Sequence, residues 1–180
     1  MHNQRCNASR KSLFGMHRSI NLKNYIRIPY QYAQGLVKCR IVYSENVETV
    51  HFENYNKKSI EKIKIVRDDD ITYDHKYLDR KIINDLYAQK GEADEIIISR
   101  AGFVTDASIY NLVFQTGNQY FTSSHPLLKG TRRNHLLNSG KILEAPINES
   151  DLLHYDYIHF VNALTPLGDL KLPLRNNIFI

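Results

Sequence analysis

The stretch Asp94–Asn111, DEIIISRAGFVTDASIYN, constrains the fold more than any other part of the chain. Three consecutive isoleucines make Glu95–Ser99 a strand apolar on both sides, and such strands are buried on both faces. A turn containing Gly102 follows at Arg100–Gly102. Then come a short apolar segment, Val104-Thr105-Asp106, and a second strand over Tyr110–Gln115. Asp106 therefore stands beside a core. A carboxylate there needs hydrogen-bond donors or a cation, because a lone buried charge is too costly. The alternative reading is a turn aspartate that binds its own backbone.

The chain before this stretch reads as a helix followed by strands. His2–Phe14 forms a helix stopped by Gly15, with His2, Arg5 and Ser9 on one face. Arg5 is either a solvated arginine or, beside a histidine, a bidentate ligand for an anion. Residues 17–34 carry Pro29 and several tyrosines and make an irregular connection. Leu36–Tyr43 and Val47–Tyr55 are two strands joined at Ser44-Glu45-Asn46, and Ile60–Val66 is a third with its lysines facing water. A charged hinge, Arg67–Asp70, sets a boundary between two lobes, residues 1–70 and 71–180. Asp74 caps a helix running to Gln89, with Leu78, Ile82, Ile83 and Leu86 as its buried stripe. Lys76 and Arg80 stand one turn apart at its start, where the helix dipole gives a lysine no support.

After Asp106, residues 115–119 turn a hairpin into Tyr120–Thr122. Leu127–Gly130 is a loop and Thr131–Asn138 a short helix. Gly130 lets the backbone approach a ligand. Thr131, at the helix N-terminus, either offers its hydroxyl and the first amides to an anion or is a plain capping threonine. Glu149–His154 is a short helix and Tyr157–Val161 a strand. Residues 162–166 form a loop at that strand's carboxyl end, where ligands commonly sit in α/β layers, and Asp169–Leu174 ends the sheet.

Composition narrows the function classes. With 180 residues, 42% of them hydrophobic, the chain can bury a core as one large domain or two small lobes. No apolar run reaches the ~20 residues of a membrane span. The start, MHNQRCNASRK, has no signal-peptide pattern. Cys6 and Cys39 lack metal-ligand spacing, which points to a reducing cytoplasm and no metal. A net charge of +5 permits a nucleic-acid partner. The basic residues are read as spread along the chain, so a pocket for an anionic small molecule is preferred to a nucleic acid.

Taken in order, these segments resemble the fold-type IV pyridoxal-phosphate enzymes, the class IV aminotransferase family. Its members include the branched-chain and D-amino-acid aminotransferases and 4-amino-4-deoxychorismate lyase. His2-Asn3-Gln4-Arg5 is similar to the family's HxxR helix, and Lys76-Tyr77-Leu78-Asp79-Arg80 to the lyase-type KxxxR. Ala93-Asp94-Glu95 leads into Gly102-Phe103-Val104-Thr105-Asp106 and on to Asn111, which resembles G-x-V-T-E-x-x-x-x-N. Leu128-Lys129-Gly130-Thr131-Arg132 stands where the family has GITR, and Asn162-Ala163-Leu164 matches the NAL of the lyases.

The resemblance implies an α+β fold of α/β layers, two small lobes of the D-amino-acid-aminotransferase type. Because the chain opens almost on the HxxR helix, the N-terminal lobe is expected to be truncated, without the family's first strands. The implied cofactor is pyridoxal 5'-phosphate. Lys76 would hold it covalently and move protons, and Arg5 and Thr131, with the amides near Ala163, would bind its phosphate. Asp106 would face the pyridine nitrogen. Arg80 would assist the phosphate or lower the lysine pKa, and Asn111, Gly130 and Asn162 complete the implied cofactor site. Two departures stand out. Asp106 is shorter than the usual glutamate by ~1.5 Å, and Lys129-Gly130 in place of Gly-Ile adds a charge near the phosphate.

The favoured reaction is aminodeoxychorismate lyase, giving 4-aminobenzoate and pyruvate for folate synthesis. The runner-up is amino transfer by a branched-chain or D-amino-acid aminotransferase. A reading of another class is a non-catalytic basic nucleic-acid-binding protein. The expected partners are a small-molecule amino substrate and a second copy in a homodimer, with no nucleic acid and no membrane.

Overall fold

The computed structural model describes residues 1–175 and 177–179, and it divides into two compact units, Met1–Lys58 and Ser59–Ile180. In the first unit, helix α1 (His2–Phe14) ends where Gly15 takes a left-handed conformation at φ 67. Strands β1 (Val37–Tyr43) and β2 (Val47–Asn54) pair antiparallel across the expected turn. Between helix and hairpin run two short 3-10 turns, Leu22–Tyr25 and Tyr30–Tyr32, in place of regular structure. Buried Arg10 ties these parts together. Its Nε and Nη2 donate to the Glu45 carbonyl at 3.1 and 2.6 Å, and its Nη1 to that of Arg18 at 2.7 Å.

The basic residues are not spread evenly. Residues 1–58 hold ten Lys and Arg against three Glu, while the rest of the chain holds fourteen against sixteen acids. The first unit alone therefore carries the positive excess, a correction that needs the boundary between the units to be seen.

The second unit is built on β3 (Ile63–Arg67), α2 (Lys81–Ala88), β4 (Glu95–Arg100), β5 (Phe103–Ala107), β6 (Asn111–Thr116) and β7 (Gln119–Ser123). The chain continues through α3 (Thr131–Asn138), β8 (Leu143–Ala145), β9 (Tyr157–Val161), β10 (Lys171–Pro173) and β11 (Ile178–Phe179). One mixed nine-stranded sheet runs in the order β10-β9-β6-β5-β4-β3-β11, with β7 paired to β6 and β8 to β7. The division between units falls at 58/59, not at the charged stretch 67–70. Parallel pairing of β3 with β4 draws residues 63–67 into the second unit, and Arg67 grips Glu149 with Nε and Nη2.

The isoleucine run is buried on both faces, as its composition demands. Ile97 packs with Val104, Leu112, Phe114, Ile158 and Phe160 on one face of the sheet. Ile96 and Ile98 pack on the other, against Ile83 and Leu86 of α2 together with Ile71 and Tyr73. The turn into β5 uses Ala101 and Gly102, both at positive φ, which suits a two-residue hairpin.

Helix α2 is shorter than the sequence suggests. It starts at Lys81, whose amide is taken by the Asp79 carboxylate at 2.8 Å, and not at Asp74. Residues 71–80 are instead an irregular segment anchored by buried Ile71 and Tyr73, and Asp74 accepts from the Tyr77 hydroxyl. Lys76 and Arg80 thus do not share a helical turn. Of the expected stripe only Ile83 and Leu86 are buried, while Leu78 and Ile82 are exposed.

A third cluster joins Val113, Leu136, Ile142 and Val161. His159, the β9 partner of Val113, is buried and its Nε2 meets Gln115 Oε1 at 2.9 Å. Burial pushes its pKa down to about 4, and the Lys171 charge acts in the same direction. A histidine with a depressed folded pKa contributes stability that is present above its unfolded value, about 6.5, and lost as pH falls toward 4. Urea titrations at pH 7 and 4.5 should therefore show His159→Gln gaining about 2 kcal/mol on wild type at the lower pH. An unchanged difference would mean that the imidazole titrates normally. Among the described residues no helix is long and apolar enough to cross a membrane.

Candidate active site

Asp106 and Asn111 face each other across the β5–β6 pairing, so their side chains share one side of the sheet. The Asn111 amide donates to Asp106 Oδ1 at 2.6 Å, and the Leu128 N–H to Oδ2 at 2.8 Å. Asn111 also donates to the Leu128 carbonyl at 2.8 Å, which locks the loop before α3 onto the carboxylate. Asp106 is not a turn residue binding its own backbone. It is a strand residue, 5% exposed, with no ion pair among the described residues. Burial drives its pKa up to about 6, against the opposing pull of the Leu128 N–H, the Asn111 amide and the charge of Arg133.

Gly130 is required here for a steric reason. A Cβ on it would fall 2.0 Å from Asn111 Oδ1, so any other residue displaces the asparagine that holds Asp106. The close approach expected at this glycine is thus to Asn111. Gly130 is also the N-cap of α3, which makes Thr131 the first helical residue, one place later than a capping threonine. Thr131 is buried, and the first amides of such a helix have no acceptor within it, which favours an anion there.

The strand-end loop lies against this helix start. Arg132 donates from Nε to the Asn162 carbonyl at 3.3 Å and from Nη2 to that of Ala163 at 3.2 Å. Asn162 Oδ1 accepts from the amides of Leu164 and Thr165, which shapes the loop, and its Nδ2 reaches the Ile109 carbonyl at 3.4 Å. Arg80 reaches the connection after β5, its Nη2 donating to the Ser108 carbonyl at 2.5 Å, two residues past Asp106.

Seven of the nine expected residues are therefore linked or adjacent: Arg80, Asp106, Asn111, Gly130, Thr131, Asn162 and Ala163. Lys76 stands exposed on the irregular segment that leads into Arg80. Arg5 is half-buried on α1 in the first unit, where its charge acts on Cys6 and Tyr43. An open cavity of about 510 Å³ lined by Thr72, Tyr73, Tyr77, Leu78 and Ile82 adjoins the Lys76 segment but contains none of the nine.

Arg133 was not among the expected residues. It is 2% exposed, donates to the Ser123 carbonyl at 2.8 Å, and is held by Glu144. The available signal was helical spacing: Arg133 and Leu136 lie three apart on the buried face of α3.

A family model described as "Amino-transferase class IV" matches residues 46–171. An uncharacterized protein of Haemophilus influenzae is 41% identical over 147 residues, covering 82% of this chain and 78% of that one. A crystal structure from Haemophilus somnus, described as a "putative 4-amino-4-deoxychorismate lyase", superposes with a TM-score of 0.84 at 35% identity. It covers 92% of this chain and 88% of its own. A hypothetical aminotransferase of Mycobacterium tuberculosis in a PLP-bound form shares the fold alone. Its TM-score is 0.60 at 16% identity, over 74% of this chain and 59% of that one.

Proposed function

Since the chain belongs to the class IV amino-transferase family, we propose that it is a pyridoxal-phosphate-dependent enzyme with aminodeoxychorismate lyase activity. The observation that carries this reading is the buried Asp106 carboxylate, held by neutral donors and lacking an ion pair among the described residues. A carboxylate so placed stabilises a cation brought to it, and a protonated pyridine nitrogen is such a cation. The α3 start at Thr131 suits a phosphate, and Arg132 next to it carries a positive charge. The residues present therefore fit the group.

When bound, pyridoxal phosphate supplies an electron sink for a carbanion next to the substrate nitrogen. In this reading Asp106 keeps the ring nitrogen protonated, and Asn111 and the Leu128 N–H keep Asp106 in place. Lys76 would hold the cofactor and would also serve as the general base that removes the substrate's ring proton. Loss of that proton makes the ring aromatic as pyruvate leaves, so 4-aminobenzoate and pyruvate account for the substrate's atoms. The lyase is favoured over amino transfer by the Haemophilus somnus relative and by Asn162-Ala163-Leu164. We place the enzyme in the cytoplasm as a homodimer acting on a small amino substrate.

The test is to supply aminodeoxychorismate and follow pyruvate, then to supply branched-chain and D-amino acids with 2-oxoglutarate and follow glutamate. Pyruvate release is the expected result. Glutamate without pyruvate would replace the lyase by the transaminase. Sedimentation of the same preparation should give a dimer, and a cofactor-loaded monomer at micromolar concentration would contradict the assembly.

A further inference from the structure

Glu95 opens β4 with its side chain wholly buried and with no ion pair among the described residues. Every other residue of the Glu95–Ile98 run is an isoleucine, so an apolar residue would suit the packing here. A buried carboxylate is kept at a cost and calls for a reason. Its contacts supply one. Oε1 accepts from the N–H of Ile96 at 3.0 Å and of Ser108 at 3.2 Å, and Oε2 from the Ser108 hydroxyl at 2.9 Å.

Ser108 belongs to the short connection between Asp106 and Asn111, which is closed by the Ala107 N–H on the Tyr110 carbonyl at 2.9 Å. Glu95 holds Ser108 by its N–H and hydroxyl, while Arg80 holds the same residue by its carbonyl at 2.5 Å. Asn162 adds a contact to the next carbonyl, that of Ile109. An anion and a cation thus grip one residue at its two ends, and the connection so fixed carries a site residue on either side. Hydrogen bonds to charged groups are about twice as strong as neutral ones, so this pair of contacts sets the position of the connection.

We propose that Glu95 is a positioning residue, whose buried carboxylate fixes Ser108 and thereby holds the Arg80 guanidinium on the connection between Asp106 and Asn111. The role rests on the reading of this site as a cofactor site, because it is there that the placement of Arg80 matters. Ser108 is the link, so the two charged residues act as one unit, and removing either removes the same contribution.

The experiment compares wild type with Glu95→Leu, Arg80→Met, the double variant and Glu95→Gln, measuring pyridoxal phosphate affinity and hydrogen exchange at the Ser108 amide. Glu95→Leu and Arg80→Met should each weaken the cofactor by tenfold or more, with the double variant no weaker than the worse single. Glu95→Gln keeps the Oε1 acceptor, and the Ser108 hydroxyl can turn to meet its amide, so affinity should stay within about threefold of wild type. The Ser108 amide should exchange faster in Glu95→Leu and stay protected in Glu95→Gln.

Losses that multiply in the double variant, or a Glu95→Leu affinity equal to wild type, would overturn the proposal. Where Glu95→Leu does not fold, Ser108→Ala replaces it in the cycle, with a smaller loss and the same non-additivity expected. A wild-type protein that takes up no cofactor would refute the reading of the site. The Glu95 link would then stand or fall on the Ser108 exchange rates and on whether Arg80 leaves the Ser108 carbonyl in a crystal structure of Glu95→Leu.

Discussion

The Lys76→Ala protein is expected to lose at least about a thousandfold in turnover while keeping its fold. The loss is large because one side chain is asked to do two things, to hold the cofactor covalently and to move the proton. Stability should change by less than about 0.5 kcal/mol, since Lys76 is exposed and lies outside α2. Pyridoxal phosphate followed by borohydride should mark Lys76 in wild type and leave the variant unmarked, as read by peptide mass spectrometry. Lys81 pairs with Asp85 at 2.5 Å, Lys64 donates to the Gln89 carbonyl at 2.8 Å, and Lys90 to that of Ala93 at 2.7 Å. A label spread over such lysines, or turnover that survives in Lys76→Ala, would remove Lys76 from the chemistry and the lyase reading with it.

Helix α1, the β1–β2 hairpin, α3 and β9 were legible because local signals decide them. Gly15 stops the first helix and Ser44-Glu45-Asn46 turns the hairpin. The apolar runs of β4 and β6 carry their double burial in composition alone. Helix α2 was misread because Asp74 has the residue type of a cap, whereas the helix starts at Lys81, whose amide Asp79 takes. Residues 71–80 are anchored instead by Ile71 and Tyr73, buried in the cluster with Ile96 and Ile98, which no local pattern states. Strands β8 and β11 are three and two residues long and exist through pairing with β7 and β3, so neither has a period to read.

The site divides in the same way. Asp106, Asn111 and Gly130 could be picked out because residue type and order limit what they can do. What holds them could not, since Ser108, Arg133 and the carbonyls gripped by Arg132 meet only through the sheet. The gathering of charge in the first unit was present in the residues all along but invisible without the 58/59 boundary.

Asp106→Asn separates what the carboxylate costs from what it does. With a folded pKa of about 6 against 3.8, ionised Asp106 lowers the stability of the cofactor-free protein at neutral pH by roughly 3 kcal/mol. An asparagine removes that cost but cannot satisfy both neighbours. Whichever way its amide is turned, a donor meets either the Leu128 N–H or the Asn111 amide, and one hydrogen bond worth about 1 kcal/mol is lost. The variant without cofactor should therefore be more stable than wild type at pH 7, by about 2 kcal/mol. Because the folded pKa of Asp106 is raised, its contribution is fully present below about 3.8 and is lost as pH rises through 6. Wild type should thus gain about 2 kcal/mol on the variant between pH 7 and 4.5, opposite in sign to the effect of His159. Turnover should fall on the order of a hundredfold or more, because the neutral amide no longer keeps the ring nitrogen protonated. A cation beside Asp106 also favours its ionised form, so the acid limb of the turnover profile in loaded wild type should lie below pH 6. Equal turnover in the variant would reduce Asp106 to a structural residue. A variant that loses turnover only because it unfolds would show itself in the same urea titration.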